Sequence, residues 1–324
     1  MLVRDLTDGQ ELDQVLLVRG VELRTKRDGA QFMKLALGDR TGQLTAIVWE
    51  GVAEMRELCV AGQPVHVRGR YEVHVRWGPQ VALRSLAAAA PGSFAAEDLV
   101  DGPPRPADAM EAGVRELVAT VQDEHLRALL ESVLGPHTDT WELYRRAPAA
   151  KLYHQAYAHG LLEHSLTVAQ GVALLASTFP GIDRDVAVAG ALLHDIGKLD
   201  AYTADPAAID LTDTGRLQGE IPLGYYRIRR AIENLPGFPP DTAQAVLHII
   251  LSHHGSLEHG SPVVPCTREA WLVHMIDNLG GKLGSFDRLE KSLAPGAAWA
   301  PFDRGIGGSA YFGSVTAEPE RRAA

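Results

Sequence analysis

The sequence predicts a two-domain protein in which an all-β barrel precedes an all-α helical bundle. Apolar and polar residues alternate in short runs up to about residue 88, the pattern of half-buried strands. From about residue 108 onwards, apolar residues recur at spacings of three and four, the pattern of amphipathic helices. Between them lies a low-complexity stretch with an alanine run and several prolines. We therefore predict a barrel over 1–88, a linker over 89–110, a helical domain over 111–294 and an irregular tail over 295–324.

Composition and charge exclude several classes of protein. The chain of 324 residues is 46% hydrophobic and 22% charged, as expected of folded domains and not of a disordered chain. Residues 1–90 carry a net charge of +1 and residues 91–324 a net charge of −11, so the first domain is better suited to contact a polyanion. Two cysteines without metal or redox spacing, and no signal peptide or membrane-length apolar run, predict a cytoplasmic protein with no membrane partner.

The first domain has the strand order of an OB-fold. Candidate strands at 15–23, 32–37 and 44–49 are followed by a short helix, Val52–Leu58. The clearest strand comes next, where Val65, Val67, Gly69, Tyr71 and Val73 alternate with polar residues, and a fifth strand at 81–86 closes the set. Five strands with a short helix between the third and the fourth predict an OB-fold barrel.

An OB-fold binds single-stranded nucleic acid through a basic groove and stacking aromatic rings. The fourth strand and the turn after it supply both, so we predict a nucleic-acid-binding set of Arg68, Arg70, Tyr71, Arg76 and Trp77. Phe32 and Trp49 are either further stacking rings or part of the barrel core. The arginines have the alternative of keeping an outer face solvated.

The helical domain carries a His-Asp pair at the end of an apolar run. Small and apolar residues occupy 186–193, and His194, Asp195, Gly197 and Lys198 follow. The run predicts a buried helix that ends at Gly197. Imidazole nitrogen and carboxylate oxygen are both ligands of first-row divalent metals, so the pair is a candidate metal site.

Histidines concentrate in the same domain, where nine of the 13 lie between residues 154 and 274. Buried, unpaired imidazoles are costly, and convergence on a metal would satisfy several of them together. We select His164, His194 and the pair His253-His254 as ligands, with Asp277 on an otherwise apolar helix. For the remaining five we favour ordinary hydrogen-bonded roles: His154, His159, His248, His259 and His274.

At this point the chain resembles a known family. The order of His164, the His194-Asp195 pair and Asp277 resembles the HD domain of metal-dependent phosphohydrolases. The stretches GLLEHSL (160–166), AGALLHDIGK (189–198), LSHHG (251–255) and GSPV (260–263) resemble YhaM-type 3′→5′ exoribonucleases, in which an OB-fold precedes the HD domain.

The resemblance implies roles for individual residues. A first metal would be held by His164, His194, Asp195 and Asp277, with Asp195 bridging to a second metal. His253 and His254 would serve the second metal or the phosphate, and Lys198 would lie against the scissile phosphate. Where the family has a Gly-His pair, this chain has Gly219-Glu220, which offers oxygen in place of nitrogen. His159 is a candidate compensating ligand.

We therefore expect a metal-dependent 3′→5′ exoribonuclease that hydrolyses single-stranded RNA, with single-stranded DNA as an open alternative. The catalytic residues would be Asp195 and Lys198, and Arg227, Arg229 and Arg230 would either hold the phosphate backbone or form a solvated helix face. Mixed imidazole and carboxylate donors suit Mn²⁺, Fe²⁺, Co²⁺ or Zn²⁺, and the resemblance implies one or two Mn²⁺ ions. Two alternatives stay open, a phosphohydrolase of nucleotides or cyclic dinucleotides and a non-catalytic nucleic-acid-binding protein with a structural metal. The sequence leaves a homo-oligomer open.

Overall fold

A computed structural model describes residues 1–26, 28–74, 78–100, 102–151, 155–203, 209–293 and 296–313. The described chain forms two compact units. The first contains Met1–Gly102 and the C-terminal segment from Phe286, and the second contains Pro103–Ala204 and Ile209–Ser285.

The first unit is built on a closed five-stranded barrel with the neighbour order β1-β2-β3-β5-β4. Its strands are β1 (Glu11–Thr25), β2 (Gln31–Asp39), β3 (Gly42–Val48), β4 (Pro64–His74) and β5 (Gly78–Ala88). The pair β3–β5 is parallel, and the other neighbouring pairs are antiparallel. A short helix, α1 (Val52–Leu58), separates β3 from β4. The predicted OB-like barrel is therefore confirmed.

Alternate residues of each strand fill the barrel, as the period of two requires. On β2, Met33, Leu35 and Leu37 are fully buried, and on β4 the residues Val65 and Val67 are buried likewise. The residues between them lie on the outer surface. A further short helix, α2 (Ala96–Leu99), follows the barrel.

The described residues 296–313, which belong to the irregular tail predicted from residue 295, contain ordered contacts. Leu289, Ala300, Ala310 and Phe312 form a small apolar cluster of their own. The backbone pairs Trp299 with Tyr311 in an isolated β-bridge. Apolar side chains that return to Leu289 give this segment a small core, and glycine-rich composition alone did not reveal it.

The second unit is helical, as predicted, and an isolated bridge between Tyr202 and Leu211 is the extended pairing in its described residues. Its helices are α3 (Ala107–Thr120), α4 (Glu124–Leu134), α5 (Asp139–Tyr144), α6 (Gly160–Ala176), α7 (Arg184–Leu193), α8 (Lys198–Ala201), α9 (Asp213–Gln218), α10 (Glu220–Glu233), α11 (Pro240–Ser252) and α12 (Arg268–Lys291), the last of which continues into the segment of the first unit. One apolar core joins α3, α4, α6, α7, α10, α11 and α12. Among the described residues, no helix combines the length and apolarity that a membrane crossing needs.

Helix α7 ends at Leu193 and not at Gly197, so the predicted helix end is wrong by one turn. Asp183 caps the start of α7 by accepting hydrogen bonds from the backbone N–H groups of Asp185 and Val186. Gly197 has an ordinary φ of −69° and is not a left-handed helix cap. A Cβ at Gly197 would lie 1.9 Å from the Glu220 carbonyl oxygen, so glycine is required by the close approach of α10.

Candidate metal centre

Five helices of the second unit bring the predicted ligands to one place. His164 lies in the second turn of α6, and Asp277 lies in the middle of α12. The other ligands follow or begin helices: His194-Asp195 after α7, His253-His254 after α11 and Glu220 at the start of α10. Because these helices pack into one apolar core, their ends and inner faces are fixed relative to one another.

The first cluster consists of His164, His194 and Asp277, which could together hold a metal ion. The Nε2 atoms of the two histidines lie 3.2 Å apart, and Asp277 Oδ1 lies 3.0 Å from His164 Nε2 and 3.8 Å from His194 Nε2. Asp195 Oδ2 lies 3.3 Å from both Nε2 atoms. The donor atoms of four residues therefore converge on one point in the protein interior.

The second cluster consists of Asp195, His253 and His254 and adjoins the first. Asp195 turns its other oxygen, Oδ1, towards His253 Nε2 at 3.5 Å. Glu220 Oε1 lies 3.5 Å from His254 Nε2 and extends the cluster. Asp195 Oδ1, His253 Nε2 and Glu220 Oε1 are buried without a hydrogen-bond partner in the described structure.

The far nitrogen of each histidine is held by the protein, which fixes how the ring presents Nε2. In three of them the Nδ1–H group donates to a backbone carbonyl. His194 donates to Ala191 at 2.7 Å, His253 donates to Ile250 at 2.8 Å, and His254 donates to His259 at 2.9 Å. Because a carbonyl can only accept, Nε2 is the unprotonated nitrogen of each neutral ring and faces the centre.

His164 differs from the other three, because its Nδ1 is held by the Gln155 side chain at 3.2 Å. Gln155 has a left-handed backbone with φ +50°, which is uncommon for a residue other than glycine. No sequence pattern predicts a role for Gln155, because only the fold brings it to His164. His274, for which we favoured an ordinary hydrogen-bonded role, donates its Nδ1–H to the His253 carbonyl at 2.8 Å.

The pKa values of the ionisable groups in the site are shifted by burial and by the charged groups close to them. Burial alone would lower the pKa of His164, but hydrogen bonds and attraction from Asp195 and Asp277 outweigh it and raise the pKa to about 9. Burial would raise the pKa of the carboxyl groups of Asp195 and Asp277. Lys198 and His194 nevertheless hold the pKa of Asp195 well below its usual range. His164 does the same for the pKa of Asp277. Burial and the neighbouring His253 lower the pKa of His254, which favours its neutral, ligating form.

These residues fit a divalent metal. Two ionised carboxylates share the site with imidazole nitrogens, and three buried polar atoms of the described residues have no hydrogen-bond partner there. Imidazole with carboxylate is a donor set for first-row divalent ions. Together with the HD-type arrangement of the ligands, this indicates dependence on a divalent metal.

The structure brings Lys198 to this centre as well, where it contacts Asp195. Its Nζ donates to Asp195 Oδ2 at 2.6 Å, and both side chains are buried. Burial would lower the pKa of Lys198, but Asp195 outweighs this effect and raises it, so the ammonium group stays charged. The salt bridge is therefore the contact that the fold shows for Lys198.

Several other predicted residues lie away from the centre. His159 precedes α6 and donates its Nδ1–H to the Arg145 carbonyl at 2.5 Å, and it belongs to neither of the two donor clusters. Arg227 pairs with Asp200 at 2.8 Å and Arg229 with Glu233 at 2.7 Å, which commits both arginines to carboxylates. Arg230 lies over the ring of Tyr226. His154 lies outside the described residues.

The predicted nucleic-acid set on the barrel is only partly upheld by geometry. Arg68 and Arg70 are exposed, but Arg68 pairs with Asp13 at 3.1 Å and Arg70 donates to the Gly9 carbonyl at 3.1 Å. Tyr71 is 7% exposed and belongs to the barrel core, so the prediction that it stacks on a base is wrong. Arg76 and Trp77 lie outside the described residues.

Comparisons with known proteins agree with this geometry. Residues 161–281 match the HD domain family. The chain is 30% identical over 290 residues to the 3′-5′ exoribonuclease YhaM of Geobacillus sp. (strain WCH70), covering 89% of this chain and 87% of the relative. It is also similar to proteins of the same name from Bacillus subtilis (strain 168), at 27% identity over 89% of this chain and 90% of the relative, and from Listeria innocua serovar 6a, at 28% identity over 90% and 92%.

Proposed function

The chain belongs to the YhaM family of 3′-5′ exoribonucleases, and we propose that it is a metal-dependent hydrolase that removes nucleoside monophosphates from the 3′ end of single-stranded RNA in the cytoplasm. One observation carries the proposal. Asp195 directs one carboxylate oxygen to each of two adjacent donor clusters, so a single residue can join two metal sites. Adjacent metal sites of this kind are typical of phosphodiester hydrolysis.

The residues of the centre would have three roles: binding a first ion, binding a second ion and balancing charge. His164, His194 and Asp277 would hold one ion, His253, His254 and Glu220 a second, and Asp195 would contact both. Ions bound there supply positive charge for the anionic phosphate and lower the pKa of water towards neutrality. Lys198 adds a buried cation beside Asp195, and it orients that carboxylate while offsetting the negative charge that an incoming phosphate brings.

We propose Mn²⁺ as the metal. The first cluster offers two imidazoles and carboxylates, which exceeds what Mg²⁺ usually accepts from protein nitrogen. Glu220 adds a carboxylate oxygen to the second cluster and favours a hard ion over one that prefers nitrogen or sulfur. Fe²⁺, Co²⁺ and Zn²⁺ are the competitors to be compared with it.

The test is hydrolysis of a 5′-labelled single-stranded RNA in the presence of Mn²⁺, with Asp195→Ala as the matched variant. A ladder that shortens with time in the wild type and is lost in the variant supports the proposal. Intact RNA with the wild type in each of the four metals overturns it. The same reaction with DNA of identical sequence decides whether the 2′-hydroxyl is required.

A further inference from the structure

Two aromatic rings pack on each other on the outer surface of the barrel. Phe32 of β2 and Trp49, the residue after β3, have ring centroids 5.0 Å apart with 28° between their planes. Trp49 is 53% exposed although it is one of the largest apolar side chains in this unit. A stacked pair that leaves a tryptophan half exposed offers a flat apolar surface to solvent.

The strand register explains why these rings face outwards. Met33 pairs with Val48, and both side chains point into the barrel. Phe32 and Trp49 are their neighbours in the chain, so they emerge together on the opposite side. The orientation of the pair is therefore set by β2 and by the residue directly after β3.

A cation accompanies the rings. Lys26, the first residue after β1, places Nζ 4.8 Å from the centroid of the Trp49 ring. Arg24, which pairs with Phe32 across β1 and β2, is instead held by Glu22 at 2.9 Å. Lys26 is thus the positive group at the exposed tryptophan, at a distance typical of a cation–π contact.

The basic face of β4 is differently arranged. Asp13 holds both His66 at 2.6 Å and Arg68 at 3.1 Å, and Glu11 holds Arg84 at 2.8 Å. Since Tyr71 is buried, the described part of this face exposes no phenylalanine, tyrosine or tryptophan ring, and Asp13 partly neutralises its cations. The aromatic and cationic groups that a single strand needs lie together where Phe32 of β2, Trp49 after β3 and Lys26 after β1 meet.

We propose that Phe32, Trp49 and Lys26, named here the Phe32–Trp49 platform, stack bases of single-stranded RNA upstream of the 3′ end. The inference rests on the proposed function, because the ligand is that enzyme's substrate. Bases stack on exposed aromatic rings without regard to sequence, and a neighbouring ammonium group pairs with the phosphate. The strand 2–3 face is also where OB-folds in general contact oligonucleotides.

The decisive experiment measures binding without cleavage. Full-length protein in EDTA is titrated into fluorescein-labelled oligouridylate of about 16 nucleotides, the upper site size of one OB-fold, and anisotropy gives Kd. Trp49→Ala should raise Kd about 5- to 150-fold, the equivalent of one lost stack, while Trp49→Phe should recover most of the affinity. Arg68→Ala, the matched control on β4, should change Kd less than about twofold.

Salt dependence separates the roles of the ring and the cation. Lys26→Ala should reduce the slope of log Kd against log salt by about 0.7, the value for one phosphate contact on a single strand. Trp49→Ala should leave that slope unchanged. The proposed platform is contradicted if Trp49→Ala binds RNA with the wild-type Kd. It is also contradicted if Arg68→Ala raises Kd more than Trp49→Ala does, since the RNA-binding site would then lie on β4.

Failure of the platform is distinguishable from failure of the proposed function. Bis(p-nitrophenyl) phosphate is a phosphodiester too small to reach a stacking surface, and Trp49→Ala should hydrolyse it in Mn²⁺ at the wild-type rate. If wild type cleaves RNA and Trp49→Ala binds RNA normally, only the platform is wrong, and the exposed rings then serve a protein partner. If wild type cleaves neither substrate, the function fails, while the anisotropy result still decides whether RNA binds the platform.

Discussion

The two donor clusters of the metal centre are built differently although they share Asp195. In the first cluster, Asp277 lies 3.0 Å from His164 and Asp195 lies 3.3 Å from both histidines, so its charges already compensate one another. In the second cluster, Asp195 Oδ1 and His253 Nε2 are buried without hydrogen-bond partners in the described structure. The difference indicates that the first cluster is preorganised by its own ion pairs, whereas the second leaves donor atoms available for a cation.

The most exposed ligands belong to the second cluster. His164, His194 and His253 are almost completely buried and Asp277 is 15% exposed, whereas His254 is 31% and Glu220 22% exposed. Buried charges are screened less and hold an opposite charge more strongly. We therefore expect one ion bound tightly by the first cluster and one exchangeable ion at the second.

The largest effect is expected from breaking the first cluster. His194→Ala should lower the rate of RNA hydrolysis by more than about 10³-fold, since a metal supplies several kcal/mol of charge stabilisation. The purified variant should also lack the tightly bound ion when metal content is measured by mass spectrometry. His254→Ala, the matched change in the second cluster, should retain that ion, and equal loss from both variants would contradict the proposed difference.

The next largest effect is that of pH on the affinity of the first cluster. Its ligand His164 has a pKa of about 9 in the metal-free protein, above its ordinary 6.5, so a metal must displace a proton below pH 9. Affinity should rise about tenfold per pH unit, hence about 100-fold between pH 7 and 9, measured by Mn²⁺ titration. The slope should persist in His254→Ala, and a flat profile would show that His164 is not protonated.

The raised pKa of His164 has the opposite effect on the stability of the metal-free protein, which decreases as the pH rises. A pKa raised on folding stabilises the fold fully below about pH 6.5, and this contribution is lost as pH rises through 9. Asp195 and Asp277, whose pKa values are lowered, contribute stability above about pH 4 that is lost on acidification. Thermal unfolding with EDTA should therefore give a maximum between these limits.

A smaller effect is expected from Gln155, which acts on the first cluster through His164. Gln155→Leu removes the acceptor for Nδ1–H, and loss of such a supporting bond costs about 10- to 100-fold in metal affinity. Gln155→Glu keeps an acceptor oxygen and should retain tight binding. Exposed Gln218 supplies the control, Gln218→Leu, and a similar loss of affinity in that control would show that the effect is not specific to His164.

The smallest effect is expected from Glu220 of the second cluster. Glu220→Gln keeps an oxygen donor but removes its charge, which should weaken the exchangeable ion about tenfold and leave the tight ion in place. Raising the Mn²⁺ concentration should restore most of the activity. A loss of activity that excess metal cannot restore would mean that Glu220 acts on the substrate and not on the ion.

The sequence predicted the residues that converge in the two clusters better than the residues that support them. His164 and the His194-Asp195 pair belong to short motifs, Asp277 lies on an otherwise apolar helix, and the apolar periodicity of these helices is visible in the sequence. Gln155 is part of no motif, and it reaches His164 through a left-handed turn that periodicity does not encode. A contact between separate segments depends on the tertiary fold, so local patterns do not predict it.

In the barrel, alternate positions along a strand determine whether a side chain points inwards or outwards. The prediction for Tyr71 did not follow this alternation. The alternation that identified β4 placed Tyr71 in phase with Val65 and Val67, which are inward, and the structure buries it accordingly. The same parity places Phe32 out of phase with Met33 and therefore outside. Residue type suggested stacking at Tyr71, but position on the strand determined exposure.

Gly197 is no ligand, but it determines how closely the segments that carry the ligands can approach each other. At this residue the main chains of two helical segments touch directly, because a methyl group there would lie 1.9 Å from the Glu220 carbonyl. An alanine would act as a wedge that pushes the start of α10 aside while every donor atom stays in the protein. A chain with a complete set of ligands could then lose catalysis through a shift in spacing alone, so a motif search that counts ligands would still describe that inactive protein as intact.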